Sequence, residues 1–330
     1  LGFGSYRFSV EWSRIEPEDG LFSTAALDHY ARMCDACRDL GLEPVITYHH
    51  FTTPRWVAAR GGWTNPATAN LFTRFAEQVT RRLGPLAGRI CTFNEPNVVS
   101  TFGHVWGLFP PGLRDPALRP RVNDTFIAAH RATVAVVRAL APHVPVGLTL
   151  AMQDLQAVDG GEAVRDAERH LMEDVFLEAA HGDDFVGVQT YSRLQYGPDG
   201  MRGPDAGART TQMGYEFWPQ ALEATIRRAW LVTQQVPIVV TENGIGTADD
   251  AERIEYVEMA LRGVLRCLAD GIDVRGYTYW SLMDNFEWVF GYRPTFGLVA
   301  VDRATQVRTV KPSARWLGAI ARANALDDPR

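Results

Sequence analysis

Glu95, in the run Thr92-Phe93-Asn94-Glu95-Pro96, and Glu242, in Val240-Thr241-Glu242-Asn243-Gly244, each end a short apolar stretch that reads as a buried strand. A carboxylate just past such a strand is costly unless partners or chemistry hold it there. Two of them suggest an enzyme that works with paired carboxylates, and cleavage of a glycosidic bond is the reaction that most directly needs such a pair. In an α/β barrel both would open onto one face, because the C-terminal ends of parallel strands converge around a common pocket.

The elements that must position these residues alternate along the chain. Strand-like runs, rich in β-branched and aromatic residues, fall at 6–12, 44–50, 89–94, 146–152, 185–192, 238–242 and 274–281. Several are continuously apolar, such as Ile238-Val239-Val240, as expected of parallel strands covered on both faces. Asn65-Pro66 gives a start signal for a helix at 66–83, whose apolar face is predicted to be Leu71, Phe75, Val79 and Leu83. Thr247 with Asp250 resembles a capping box ahead of Ile254, Val257, Leu261 and Leu265. Further helices are predicted near 24–40, 122–140, 163–180, 216–233 and 312–323. Seven βα units in order, with no linker or repeat, point to a (β/α)8 TIM barrel in one catalytic domain over 1–330, with one unit missing. A doubly wound sheet is the alternative, but no G-x-G-x-x-G loop follows an early strand.

Composition narrows the partners. With 330 residues, 46% of them apolar, the chain can bury a large core, and its formal charge of −6 argues against nucleic acid and for an uncharged small substrate. No apolar stretch reaches the roughly 20 residues needed to span a bilayer, so no membrane partner is expected. Cys34 and Cys37 form a C-x-x-C inside a helical pattern, and Cys91 and Cys267 are isolated. All four read as reduced core thiols, because no second ligand pair accompanies them. The adjacent His49 and His50 lack a third ligand at metal-site spacing, so neither a metal nor any other cofactor is expected.

Four ordered motifs carry a family resemblance. Tyr6-Arg7-Phe8-Ser9-Val10-Glu11-Trp12-Ser13-Arg14-Ile15, the Thr-Phe-Asn-Glu-Pro and Thr-Glu-Asn-Gly runs, and Tyr279-Trp280-Ser281-Leu282-Met283-Asp284-Asn285-Phe286-Glu287-Trp288 closely resemble glycoside hydrolase family 1, the β-glucosidase family. The resemblance implies a retaining β-glycosidase acting on a small β-glycoside or oligosaccharide, with Glu95 as acid/base and Glu242 as nucleophile. It also implies that Arg7 lies beside the nucleophile, that Tyr191 hydrogen-bonds it, and that Asn94 binds the sugar 2-hydroxyl. By the same resemblance His50 donates to the 3-hydroxyl, Glu287 binds the 4- and 6-hydroxyls, Trp280 lies beneath the ring and Trp288 beside it. Glu11, Glu16 and Asp284 are assigned to supporting hydrogen bonds. Retention itself demands opposite protonation states: an arginine neighbour should keep Glu242 ionised, and Glu95 should start protonated.

The chain also departs from the family pattern. Gln189, counted here with the sugar-binding residues, stands where an asparagine is usual, Phe51 where tryptophan is common, and Asn97 where an aromatic often follows N-E-P. The family's first strand, with its sugar-binding glutamine, and the helix after it are not recognised. Leu1-Gly2-Phe3-Gly4 reads as a helix end running into a strand, which favours truncation. A natural seven-stranded closure and a strand supplied by another subunit, hence a homo-oligomer, are the competing readings. A sugar-binding protein without turnover and a 6-phospho-β-glycosidase stand as alternative functions. Thiol usage and family together point to the cytoplasm.

Overall fold

The computed structural model describes residues 1–326. Along them run β1 (Ser5–Ser9), β2 (Glu43–His50), β3 (Arg89–Asn94), β4 (Val146–Ala151), β5 (Asp154–Ala157), β6 (Phe185–Gln189), β7 (Arg193–Gly197), β8 (Gly200–Arg202), β9 (Ile238–Asn243), β10 (Val274–Tyr279), β11 (Val299–Val301) and β12 (Arg308–Val310). Seven of these share one sheet in the order β1-β2-β3-β4-β6-β9-β10. β1–β2, β2–β3, β3–β4 and β9–β10 pair in parallel. Spatial order follows chain order throughout, whereas a doubly wound sheet would reverse at its switch point. The fold is of the (β/α)8 class, with seven βα units on this chain.

By internal packing the chain divides into two compact units. The N-terminal unit comprises Gly4–Ala151 and Leu171–Gly187, the C-terminal unit Leu1–Phe3, Met152–His170 and Val188–Arg330, and the boundary falls within β6.

The N-terminal unit is built on aromatic packing behind β2 and β3. The helix Thr68–Leu83 buries Phe72, Phe75, Ala76, Val79 and Leu83, so its inner face begins at Phe72 and not at the predicted Leu71, which is only half-buried. Phe72 stacks on Phe93 at 4.4 Å, Phe75 on Trp12 at 5.3 Å, and Trp63 on Phe126 at 3.8 Å. Truncating one such ring to alanine costs about 3–5 kcal/mol, so this layer fixes the two strands whose ends carry His50 and Glu95. His49 points into it, ringed by Trp63, Phe72, Phe93 and Phe126. Neither ring nitrogen has a hydrogen-bond partner, and burial pushes the imidazole down to about 3, so it is neutral. Cys34, Cys37 and Cys91 are free and buried.

The C-terminal unit packs Ile245, Tyr256, Val257, Leu298, Ala314 and Leu317 into one cluster. Beside it the buried Arg253 donates to the carbonyls of Ile245, Thr247, Thr295 and Phe296 and to Tyr279 Oη, and pairs with Asp250 at 3.0 Å. Cys267 is also free and buried.

Several predicted boundaries shift by a few residues, and three elements differ for a clear local reason. The first strand stops at Ser9, because Glu11 accepts from Ser13 N and caps a one-turn helix, Trp12–Ile15. The helix Asp250–Ala269 is capped by Asp249, which accepts from Ala251 N, while Thr247 accepts from Asp249 N and donates to Glu252. The single helix predicted at 163–180 is broken into Glu162–Arg169, a π-turn at His170–Asp174, and Val175–Ala179.

Candidate active site

In the N-terminal unit Arg7, His50, Asn94 and Glu95 stand on three neighbouring strands. The Arg7 guanidinium donates to Asn94 Oδ1 at 2.6 Å, and His50 is registered directly beside Asn94. Ser9 Oγ and His50 Nδ1 share a hydrogen bond of 2.8 Å. Burial, with the Arg7 cation and His49 adding to it, holds His50 well below the ordinary histidine range. It is therefore a neutral imidazole with one N–H to give.

Glu95 is reached by a local contortion. The β3–β4 ladder shifts register between Cys91 and Asn94, and Glu95 then takes a left-handed backbone, φ 46° and ψ 60°, before Pro96 opens the helix Pro96–His104. A register shift re-aims the residues beyond it, and a non-glycine residue in the left-handed region persists only where its surroundings enforce it. Here Glu95 N donates to Thr149 O, and the residue is 8% exposed.

In the C-terminal unit the second group assembles around Glu242, which sits within β9, where the pairing with β10 shifts register between Val240 and Asn243, and is 5% exposed. Tyr191 Oη donates to Glu242 Oε2 at 2.7 Å, and Tyr256 Oη donates to the Tyr191 carbonyl at 2.7 Å. Gln189 is fully buried, and its Oε1 accepts from Thr241 at 3.2 Å. On the other side Asn243 donates to the Thr190 carbonyl and accepts from Tyr277 at 2.8 Å.

Past β10, Trp280 N donates to the Asn243 carbonyl, and Trp280 Nε1 donates to Glu287 Oε2 at 3.3 Å. The Trp280–Ser281 peptide is cis. Burial raises Glu287 to about 7; the Trp280 bond opposes this, and the Glu242 charge adds to it. Trp288 follows with φ 47°, half-buried. The supporting residues are placed as well. Glu16, fully buried, accepts from Trp12 Nε1 and pairs with Arg74; Glu11 accepts from Thr52; Asp284 accepts from Gly297 N and Lys311.

Sequence reasoning missed Ser9, Asn243, Tyr256 and Tyr277. Ser9 and Asn243 lay within the quoted motifs and carried that signal; the tyrosines sit in apolar helix and strand patterns, where an aromatic reads as core.

Comparison with known proteins identifies what these groups belong to. The model of Glycosyl hydrolase family 1 matches residues 1–192 and 189–326. A beta-glucosidase of Agrobacterium sp. is 33% identical over 371 residues, covering 97% of this chain and 81% of the relative. A bifunctional beta-D-glucosidase/beta-D-fucosidase of Bifidobacterium breve is 30% identical, covering 96% and 83%. Among solved structures, beta-glycosidase BGL167 superposes with a TM-score of 0.91 at 48% identity over all of this chain and 84% of its own. A beta-glycosidase from Pyrococcus horikoshii gives 0.92 at 31% identity, covering 99% and 82%. With its motifs, strand order and matched length in agreement, the chain belongs to glycosyl hydrolase family 1 and is a retaining glycoside hydrolase.

Proposed function

We propose that this enzyme removes terminal non-reducing β-D-glucosyl residues by double displacement, with Glu242 as nucleophile and Glu95 as acid/base. The observation that carries the reading is the 2.7 Å hydrogen bond from the Tyr191 hydroxyl to a Glu242 carboxylate held within a strand. It supports an oxygen aimed for attack, since a fixed donor orients the carboxylate. Relatives named beta-glucosidases support the glucosyl preference, and the bifunctional relative extends it to fucosyl; galactosyl residues are included on the same shared hydroxyls.

In the first step Glu242 bonds to the anomeric carbon as the bond to the aglycone oxygen breaks and Glu95 gives that oxygen its proton. In the second, Glu95 takes a proton from water, water oxygen bonds to the anomeric carbon, and the ester to Glu242 breaks, restoring both carboxyl groups and the β configuration. Arg7, bonded to Asn94 Oδ1, orients that amide toward the 2-hydroxyl. On the tautomer that carries its hydrogen on Nε2, His50 accepts from the Ser9 hydroxyl at Nδ1 and offers the Nε2 hydrogen to the 3-hydroxyl. Glu287, Trp280, Trp288 and Gln189 hold the remaining hydroxyls and the apolar ring face. Four free, buried cysteines suit a reducing compartment, and we assign the enzyme to the cytoplasm. Among the described residues no helix is long and apolar enough to cross a membrane.

Incubation with 2,4-dinitrophenyl 2-deoxy-2-fluoro-β-glucoside tests the roles. A stable fluoroglucosyl adduct mapped by peptide sequencing to Glu242 is expected. An adduct on another residue, or glucose binding with no adduct, rejects the assignment.

A further inference from the structure

Asn97, two residues beyond Glu95, is 1% exposed, and its Nδ2 donates to the carbonyl of Ala151, the last residue of β4, at 2.7 Å. Its Oδ1 has no partner, so this bond is the whole polar business of a buried amide. Around it three other links tie the same turn to β4 or to itself. Glu95 N donates to Thr149 O at 3.0 Å, Thr149 Oγ1 donates to Phe93 O at 2.8 Å, and Val98 N donates to Glu95 O at 3.0 Å. Of these links, the one from Asn97 lies on the helix side of the left-handed Glu95 and is made by a side chain. A register-shifted strand enters the turn and a proline-led helix leaves it, so fixing the entrance alone would let Glu95 pivot.

We propose that Asn97 is a positioning residue for proton transfer: by anchoring the helix Pro96–His104 to the end of β4 it holds Glu95 in the left-handed backbone that aims its carboxyl group at the departing oxygen. This rests on the acid/base reading of Glu95. A shift of about 1 Å in a catalytic group costs on the order of 100-fold in rate, but only for a step that uses the group.

The test compares kcat/KM for methyl β-glucoside, whose leaving group needs a proton, with that for 2,4-dinitrophenyl β-glucoside, whose leaving group does not. Asn97→Ala and the volume-matched Asn97→Leu should lose roughly 10- to 100-fold on the methyl glucoside and less than about 3-fold on the activated one. Equal losses on both substrates, unchanged rates on both, or failure of both variants to fold would make Asn97 a packing residue and overturn the proposal. Glu95→Ala, run alongside, separates the two levels. If it shows no leaving-group dependence, the acid/base reading has failed; if it does and the Asn97 variants do not, only the positioning role has.

Discussion

The surroundings of Glu95 and of Glu242 are built on opposite plans. Glu242 lies within β9, whose ladder to β10 shifts register beside it, and its carboxylate accepts from a tyrosine that is itself held by Tyr256. Glu95 lies just beyond its strand in a left-handed turn whose backbone is tied to β4 at Thr149 and, through Asn97, at Ala151. The first plan fixes an oxygen. The second fixes a direction. On the proposed roles, an attacking carboxylate must meet one carbon at one distance, whereas an acid/base must serve a departing oxygen and later a water, so the two call for different supports.

The comparison breaks most decisively at the carboxylates. Glu242→Ala should lower turnover of aryl β-glucosides by roughly 10⁴-fold or more, with azide restoring part of it and giving the α-glucosyl azide of inverted configuration. Glu95→Ala should cost about 10²- to 10⁴-fold on alkyl glucosides and far less on activated ones. A rescued product with retained configuration in the Glu242 variant would show the nucleophile to be elsewhere. A smaller effect probes the support: Tyr191→Phe removes one hydrogen bond to a charged group, worth about 1.5–3 kcal/mol, and should lower kcat roughly 10- to 100-fold. Unchanged kcat would show that the Tyr191 bond does not hold Glu242 for attack.

The smallest expected effect is on pH dependence. Glu287 is raised from 4.5 to about 7 chiefly by burial, so between those values the folded chain holds a proton that the unfolded chain has released. Stability contributed by this group is present below about 4.5 and is lost as pH rises toward 7. Denaturant midpoints of the parent should therefore fall across that window relative to Glu287→Gln, and parallel curves would show that Glu287 titrates normally.

Much of this was legible in the chain because strands and motifs coincide. The run 89–94 appears as a strand with the same ends, since β-branched and aromatic residues stop where Pro96 forbids continuation. The placing of Glu95 and Glu242 at the ends of buried strands, and the Tyr191 bond to Glu242, followed from motifs. What was hidden depends on contacts distant in sequence. Neither the π-turn at His170–Asp174 nor the short sheet β5-β7-β8 leaves a periodic trace in so few residues. The substitution at Asn97 was visible as a departure, but its bond to Ala151 spans 54 positions and is made to a carbonyl, which no side-chain pattern encodes.

One guanidinium has a consequence for how this enzyme can change over time. Arg253 knots the segment 245–247 to Thr295 and Phe296, so the loop bearing Glu287 is fastened at its far end, and Glu287 N closes it on Gly291 O. Phe286, Val289 and Tyr292, each 57% exposed, project from that fastened loop. Mutation can therefore rewrite this rim while the carboxylate proposed to hold the sugar keeps its place, which makes new substrate tastes evolutionarily accessible without rebuilding the chemistry.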